Sequence, residues 1–176
     1  MVLLLAAAQR LRELRVSAVR ERGLKGERAC PRGYPAMVAA HVGLFLLPPF
    51  EAHLRGTRSR HPRGWLGLLV AAFGLRWWSI RELGPQWNVR AMVPEQLTPV
   101  TTGPYRVIRH PNYLAVILEF LALPMALGAR RSCLVLSLAN LGVLACRVRA
   151  EERLLDRHPG YRRAFAGRAR LIPGVF

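Results

Sequence analysis

The stretch Thr101–Tyr113, TTGPYRVIRHPNY, decides how this chain is organised. A Gly-Pro turn leads to Arg109 and His110, and Pro111 then opens a long apolar segment. Residues before proline avoid the helical conformation and proline is favoured at the first helical position, so we expect a helix that starts after His110. A second polar cluster, Arg147–Glu152 (RVRAEE), closes the next apolar segment. Two charged clusters at the ends of two apolar segments need an explanation beyond folding.

The composition indicates a membrane protein with basic loops. The 176 residues are 52% hydrophobic with a mean hydropathy of +0.16, yet 21% are charged and the formal net charge is +17. Only Lys25 is a lysine, and the arginines concentrate at 10–32, 55–63 and 147–170, beside apolar segments. Such segregation is typical of integral membrane proteins. Nucleic-acid binding is the weaker alternative, because no zinc finger, RNP motif or heptad-bearing basic region is present.

Apolar segments predict an all-α fold: an integral membrane helical bundle of about five membrane helices, forming a single domain over residues 1–176. Each later segment has about fifteen residues, or ~24 Å as helix, and arginines at its ends can snorkel. The last two segments are joined by residues 129–131 and should form a tight helical hairpin. The segments are residues 1–19, Pro35–Phe50, Trp65–Ile80, Tyr113–Gly128 and Ser132–Cys146. The first is apolar to Ala8 and amphipathic from Gln9 to Val19, so it is either a short span or a helix that lies on the membrane.

Prolines and charges give finer expectations for this bundle. Pro48 and Pro49 should end or kink the second helix, and Pro124 should kink the fourth. Basic residues favour a cytoplasmic position for 10–34, 84–112 and the C-terminal tail, although the 53–63 loop carries four arginines. No basic residue precedes the apolar start and no clear cleavage site follows it, so we expect no signal peptide.

The loop at residues 84–112 is unusually long for a compact domain. Loops of this length are either functional or disordered, and its aromatic and apolar content favours order. No Rossmann, Walker A, H-E-x-x-H or G-x-S-x-G pattern is present, and no His, Cys or carboxylate set has metal-ligand spacing. Any chemistry must therefore come from polar residues at the membrane edge, without a metal.

The second polar cluster can be placed on a helix. If one helix runs from Ser132 to about Arg157, Asn140, Arg147 and Glu151 fall within roughly 40° of one another. Arg147 and Glu151 are spaced as an i, i+4 pair, which on a surface contributes only a few tenths of a kcal/mol. Asn140 lies deeper, where a polar side chain indicates either a site or interhelical contact. Both alternatives stay open on geometry alone.

Other polar residues also allow two interpretations. The free N–H groups after His110 could hold an anion or a carbonyl, or this could be a capping loop with Tyr113 as an interfacial anchor. Glu119 lies inside an apolar segment and should pair with an arginine such as Arg76. His41 is expected to be a hydrogen-bonded helix residue.

Four motifs in order resemble the isoprenylcysteine carboxyl methyltransferase family of membrane methyltransferases. They are Thr101–Tyr105 (TTGPY), Arg109–Tyr113 (RHPNY), Arg147–Glu152 (RVRAEE) and Arg170–Gly174 (RLIPG). The N-terminal half is similar to a bacterial branch, encoded beside type III polyketide synthases, that O-methylates alkylpyrones and phenolic lipids. The residues that carry this second likeness are Arg10–Ser17, Tyr34–Val38 and His41, whereas Arg20 and Gly33 replace that branch's asparagine and histidine.

The resemblance implies that S-adenosyl-L-methionine binds between the long loop and the last two helices. Residues 1–83 would then be N-terminal membrane helices, 84–112 a cofactor-binding loop, 113–157 a hairpin with a cytoplasmic extension, and 158–176 a cytoplasmic tail. The enzyme would lie in the bacterial inner (plasma) membrane with its catalytic side cytoplasmic. The implied cofactor-binding residues are Leu97, Thr98, Pro99, Val100, Tyr105, His110, Pro111, Asn112, Tyr113 and Glu151.

The implied reaction needs positioning more than a metal, because methyl transfer from a sulfonium is an in-line displacement. Arg147, with Asn140, would bind a lipophilic or prenylated acceptor, and Arg147 can orient a carboxylate bidentately. An enolic or phenolic hydroxyl would instead need a base, His110 or Glu151. Alternatives are N-methylation of a phospholipid amine, which Arg147 disfavours, and a non-catalytic basic protein that binds anionic lipid.

Overall fold

A computed structural model describes residues 2–174, with the side chain of residue 2 left aside; residue 1 and residues 175–176, the ends of the predicted first and last segments, lie outside it. The described residues form mainly helices, which confirms the predicted fold class in outline. These are α1 (Val2–Gly23), α2 (Tyr34–Arg55), α3 (Pro62–Leu83), α4 (Pro111–Leu127), α5 (Arg130–Leu155) and the short α6 (Pro159–Ala164).

A small antiparallel sheet corrects the all-α prediction. Strand β1 (Gly26–Arg28) pairs with β2 (Met92–Pro94), so the segment after α1 is bonded to the long loop. A Cβ on Gly26 would lie 2.2 Å from the Val93 carbonyl oxygen, and only glycine permits this approach. Strands of three residues are too short to show an alternating pattern, and so the sequence did not predict them.

Among residues 2–174, two helices are long and apolar enough to cross a membrane. They comprise residues Pro31–Arg55, with a mean hydropathy of 1.3, and Arg130–Leu155, with 1.6, whereas Pro111–Leu127 is apolar but shorter. Leu134 and Leu138 of α5 are 63% and 62% exposed, which is consistent with a lipid-facing surface. Core helices of soluble proteins can have the same length and composition, so the number of about five membrane helices stays a prediction.

The helical core lies between α2, α3, α4 and α5. Helix α3 packs along α4, and α2 packs against α5, around buried side chains such as Leu44 and Phe120. Helix α2 continues through its two prolines to Arg55, so the prolines do not end it, and the alternative that they kink it stays a prediction. Glu51 near the end of α2 accepts hydrogen bonds from the Ser132 backbone N–H (2.6 Å) and hydroxyl (2.6 Å), which caps the start of α5.

Residues 84–112 form an ordered loop around a second core, as predicted. The buried residues of this second core come from the loop, from the end of α5 and from α6 and the residue after it: Val93, Tyr105, Leu154, Leu155, Tyr161 and Phe165. The C-terminal tail pairs with the loop's last residues, where the Arg109 N–H donates to the Ala169 carbonyl and the His110 N–H to that of Arg170, both at 2.9 Å. His110 has φ −126° and α4 starts at Pro111, which confirms the predicted helix start.

Candidate functional site

A cavity of about 500 Å³ lies between α1, α2, the long loop and the facing parts of α4 and α5. Ten predicted site residues line it: Leu97, Thr98, Pro99, Val100, Tyr105, His110, Asn112, Tyr113, Arg147 and Glu151. Pro111 and Asn140 are not among the lining residues. The fold therefore brings the loop motif and the α5 motif, which are separated by a whole helix in sequence, to one cavity.

Tyr113 joins the two polar clusters at the centre of this cavity. Its hydroxyl donates to Glu151 Oε2 and accepts from Arg147 Nε at 2.9 Å. Within the described part of the chain, Arg147 and Glu151 make no direct ion pair, so their i, i+4 spacing acts through the tyrosine. Arg147 and Tyr113 are 6% and 8% exposed. The surface-pair and interfacial-anchor interpretations are thus wrong for these residues.

Each of the three guanidinium nitrogens of Arg147 has a contact. Besides Tyr113, Nη1 lies 2.9 Å from the sulfur of Met37, and Nη2 donates to the Val89 carbonyl oxygen. The Val89 N–H in turn donates to the hydroxyl of Ser17 on α1 at 2.8 Å. Helices α1, α2 and α4 and the long loop therefore fix the orientation of this arginine together.

Glu151 and Glu152 are adjacent but differ in their contacts. Glu151 lines the cavity, whereas the buried Glu152 binds His110 Nε2 (3.3 Å) and Arg170 Nε (2.5 Å). The His110 ring also stacks on Tyr113, with centroids 5.4 Å apart. One ring nitrogen of His110 is thus engaged by a carboxylate, and Glu151 is the better placed of the two candidate bases.

The loop residues that line the cavity are held by specific bonds. The Gln86 side chain donates to the Thr98 carbonyl (3.0 Å) and accepts from the Thr98 N–H (3.2 Å).

Two phenols in the cavity lining, Tyr105 and Tyr161, have raised pKa values. Burial raises the pKa of Tyr105 well above its ordinary value, and burial together with nearby Glu151 raises the pKa of Tyr161. Both phenols therefore stay protonated at neutral pH and can act as hydrogen-bond donors but not as bases.

Asn140 and Pro111 have other positions. Asn140 is 1% exposed, and among the described residues its amide oxygen and nitrogen have no hydrogen-bond partner. It lies on α5 as expected, but seven residues, or ~10.5 Å along the helix, from Arg147. Pro111 is buried as the first residue of α4. The cavity therefore gives no support to a contact between Asn140 and a substrate.

Sequence reasoning did not place a second polar group in the cavity: Arg10, Glu13 and Arg76, with His41 nearby in the lining. The predicted pairing of Arg76 with Glu119 is present at 4.0 Å, and Arg10 contacts Glu119 as well. His41 Nδ1 lies 2.8 Å from the Met37 carbonyl oxygen, as expected for a helix residue. The available signal was that Arg76 and Glu119 each lie inside an apolar segment. The sequence did not indicate that α1 would contribute their other partners.

The matched segment in a comparison with protein families covers the residues of the long loop, α4 and α5 that line the cavity. The sequence model of the isoprenylcysteine carboxyl methyltransferase family matches residues 65–157, from α3 to the end of α5. The chain belongs to this family. A relative in Bacillus subtilis (strain 168), the uncharacterized protein YpbQ, is 31% identical over 157 residues, which cover 85% of this chain and 92% of the relative.

Membership of the isoprenylcysteine carboxyl methyltransferase family, with the two apolar helices, indicates a membrane methyltransferase. The resemblance to the branch encoded beside type III polyketide synthases stays a prediction, because YpbQ is itself uncharacterized. Members of the family generally use S-adenosylmethionine as the methyl donor.

Proposed function

We propose that this protein is a membrane-embedded, S-adenosylmethionine-dependent O-methyltransferase that acts on a carboxylate or an enolic or phenolic hydroxyl of a lipophilic acceptor. The observation that carries the proposal is the cavity in which Tyr113 bridges Arg147 and Glu151 beside the ordered loop. The Tyr113 hydroxyl thus holds both the Glu151 carboxylate, which would bind the cationic cofactor, and Arg147, which would bind an oxygen of the acceptor.

The residues of the cavity fit the cofactor. S-adenosylmethionine offers an ammonium group, hydroxyls and an amino group as donors, and a sulfonium cation. The Glu151 carboxylate lines the cavity, and the buried Asn112 Oδ1 has no partner among the described residues, so both can accept such donors. The backbone groups of Thr98 are already paired with Gln86, so Thr98 would contribute contact surface rather than backbone hydrogen bonds.

The wall between α1 and α2 suits a lipophilic acceptor. It is lined by Leu11 and Leu14 of α1 and by Val42 and Leu46 of α2, and Leu46 is 62% exposed. Apolar residues that both line a cavity and reach the protein surface provide a lateral route for an alkyl or prenyl chain. Such an acceptor would enter from the bilayer, while the cofactor would enter at the loop.

The bound cofactor would supply an activated methyl group, and the side chains of this chain would position the acceptor. Arg147 can exchange its contact with the Met37 sulfur, a weak acceptor, for a charge-assisted bond to an acceptor oxygen. A carboxylate needs no further activation. For a hydroxyl, Glu151 would take the proton, because His110 already contacts Glu152.

The location and pathway follow as parts of the same proposal. We place the protein in the bacterial inner membrane with the cavity's loop side facing the cytoplasm, where S-adenosylmethionine is available. The likeness to the branch associated with type III polyketide synthases makes an alkylpyrone or phenolic lipid a reasonable acceptor to test first.

Transfer of a labelled methyl group tests the proposed function. Membranes that contain the protein would receive labelled S-adenosylmethionine with a prenylated cysteine, an alkylpyrone or an ethanolamine phospholipid. We expect label on the prenylated cysteine or the alkylpyrone, and its loss in Glu151→Ala. Transfer to the ethanolamine lipid alone would support N-methylation instead, and no transfer by a folded sample would refute the proposal.

A further inference from the structure

Two side chains of α1, Ser17 and Glu21, hold the loop segment that Arg147 contacts. The Ser17 hydroxyl accepts from the Val89 N–H at 2.8 Å and donates to Glu21 Oε1 at 2.7 Å. Glu21 Oε2 lies 3.4 Å from Nε of Arg90, the residue after Val89. Ser17 and Glu21 are four residues apart, so they lie on the same side of α1. These two side chains, the α1 clamp, thus bind the loop at two adjacent residues.

The loop segment that the α1 clamp binds is a closed turn. Asn88 is 8% exposed, and its side chain accepts from the Met92 N–H (2.7 Å) and donates to the Met92 carbonyl (2.8 Å). Ala91 has φ +50°, a left-handed conformation that residues with a side chain rarely adopt. Residues 88–92 are therefore fixed by these bonds as a unit. The pairing of β2 with β1 holds one end of the turn, and the α1 clamp holds the other.

Val89 transmits the position of this turn to Arg147. Its carbonyl oxygen accepts from Arg147 Nη2, and Val89 lines the cavity, whereas Ser17 is not among the lining residues. The N–H and the carbonyl of Val89 belong to successive planar peptide groups that share one Cα atom, so a rotation that releases the N–H also redirects the carbonyl. Ser17 is 2% exposed, so water cannot replace its hydroxyl without entering a closed interface.

The Val89 carbonyl determines which nitrogen of Arg147 can meet a ligand. Nε is bonded to the Tyr113 hydroxyl and Nη2 to Val89, so both bonds are to oxygen. Nη1 contacts the Met37 sulfur, a weak acceptor that a ligand oxygen can displace. The guanidinium is planar and rigid, so two fixed nitrogens set the direction of the third. Loss of the Val89 bond would leave the plane held through Nε alone.

We infer that Ser17 and Glu21 are positioning residues for the acceptor. Through the Val89 carbonyl they hold the guanidinium of Arg147 in the orientation in which Nη1 meets an anionic oxygen. Both residues lie outside the segment 65–157 that matches the family model, so α1 adds a part of the site that this segment does not contain. The inference rests on the proposed function for the identity of the ligand as an acceptor, but binding alone can test it.

Dodecanoate, a carboxylate on a single alkyl chain, is a suitable probe for the orientation of Arg147. Its affinity for the purified full chain in a non-ionic detergent would be measured by calorimetry. We expect Ser17→Ala to weaken binding by about tenfold, because a misdirected guanidinium loses a charge-assisted bond to the carboxylate. Equal affinities of wild type and Ser17→Ala would overturn the inference, and so would a folded wild type that does not bind the probe.

Ser79→Ala is the matched control for Ser17→Ala. Ser79 is also fully buried, but its hydroxyl donates to the Leu75 carbonyl of its own helix at 2.7 Å, and it is not among the lining residues. The same hydroxyl is thus removed without a connection to the loop, and dodecanoate affinity should stay within about twofold. Ser17→Thr keeps a hydroxyl at position 17 and should restore most of the affinity that Ser17→Ala loses. A loss of the same size in Ser79→Ala would contradict a specific role of Ser17.

A double-mutant cycle tests whether Ser17 acts through Arg147. Arg147→Ala should itself weaken dodecanoate strongly, and adding Ser17→Ala to it should change the affinity by no more than about twofold. Residues that act as one unit show such non-additive effects, whereas independent effects add. Additive losses in the double variant would show that Ser17 acts on the protein in another way, which contradicts the inference.

Glu21→Ala is a second variant in case Ser17→Ala does not fold. Glu21 is only partly buried, and its loss removes the acceptor of the Ser17 hydroxyl together with the partner of Arg90. We expect a severalfold loss of dodecanoate affinity that again disappears in the background of Arg147→Ala. The affinity for S-adenosylmethionine should stay within about twofold in every α1 variant. A parallel loss of both ligands would indicate general disruption and would refute a positioning role.

Methyl transfer measured on the same samples separates this inference from the proposed function. If Ser17→Ala weakens dodecanoate through Arg147 but wild type transfers no methyl group, the proposed function fails and the α1 clamp stands. If wild type transfers and Ser17→Ala changes neither transfer nor dodecanoate affinity, the α1 clamp fails and the proposed function stands.

Discussion

The hydroxyl of Tyr113 should matter far more for catalysis than its ring. Tyr113→Phe removes one oxygen that accepts from Arg147 Nε at 2.9 Å and donates to Glu151. The ring's stacking on His110 and its position beneath the Arg147 guanidinium, 5.8 Å from the centroid, do not need the hydroxyl. The variant therefore tests the bridge with little disturbance of packing.

The expected size of the Tyr113→Phe effect follows from these contacts. A hydrogen bond to a charged group contributes about 1.5–3 kcal/mol, which corresponds to about a 10- to 100-fold change in rate. Arg147 keeps its contacts to Met37 and Val89, so it should stay in the cavity but lose its fixed orientation. We expect kcat/KM to fall by about 10- to 100-fold, while the affinity for S-adenosylmethionine changes much less.

The assay compares initial rates of labelled methyl transfer with cofactor affinity measured by calorimetry on the same protein. Tyr105→Phe is the matched control, because Tyr105 is also buried and lines the cavity, but within the described residues its hydroxyl makes a single long hydrogen bond, 3.4 Å, to the Ser79 carbonyl. The control should lose no more than about threefold, as expected for a weak neutral bond. Wild-type kcat/KM in Tyr113→Phe would refute the bridge as a positioning device.

Three further predictions concern the residues that hold the loop and the tail. Glu152→Gln should lower the unfolding temperature by several degrees, because a buried carboxylate with three basic partners, Arg109, His110 and Arg170, is lost; an unchanged melting curve would contradict this. Gly26→Ala should disrupt the pairing of β1 with β2 and weaken cofactor binding, whereas Gly23→Ala, in open space, should not; equal cofactor affinities in calorimetry would refute it. Gln86→Ala should raise the KM for S-adenosylmethionine severalfold with little change in the acceptor's KM, because the Thr98 backbone is released; parallel changes in both would argue against this role.

Local signals predicted a large part of this site. The proline at position 111 and the spacing of Arg147 and Glu151 correctly gave the start of α4 and the helical continuation of α5. These features depend on residues close in sequence, where backbone preferences and helical periodicity act directly. The same reasoning correctly indicated an ordered loop, because its apolar and aromatic residues needed a core.

Contacts between distant segments could not be predicted in the same way. Tyr113 is 34 residues from Arg147, and the role of its hydroxyl depends on how α4 lies against α5. Glu13 is 63 residues from Arg76, and their buried ion pair depends on α1 lying beside α3, which no local pattern in the sequence indicates. Asn140 shows the same limit from the other side, since it shares the helix of Arg147 but is not among the residues that line the cavity, and its contact with a substrate stays a prediction. Periodicity indicates which face a residue occupies, but not what that face contacts.

The affinity for S-adenosylmethionine, measured by calorimetry on wild type, Glu151→Ala and Arg147→Ala, tests the central claim most directly. The two residues line one cavity and are joined by one hydroxyl, yet we assign them to different ligands. We predict measurable binding to wild type, a loss of at least tenfold in Glu151→Ala, where a bond to a charged group is removed, and little change in Arg147→Ala. No binding to folded wild type, or equal affinities in all three proteins, would contradict the assignment of this cavity to the cofactor.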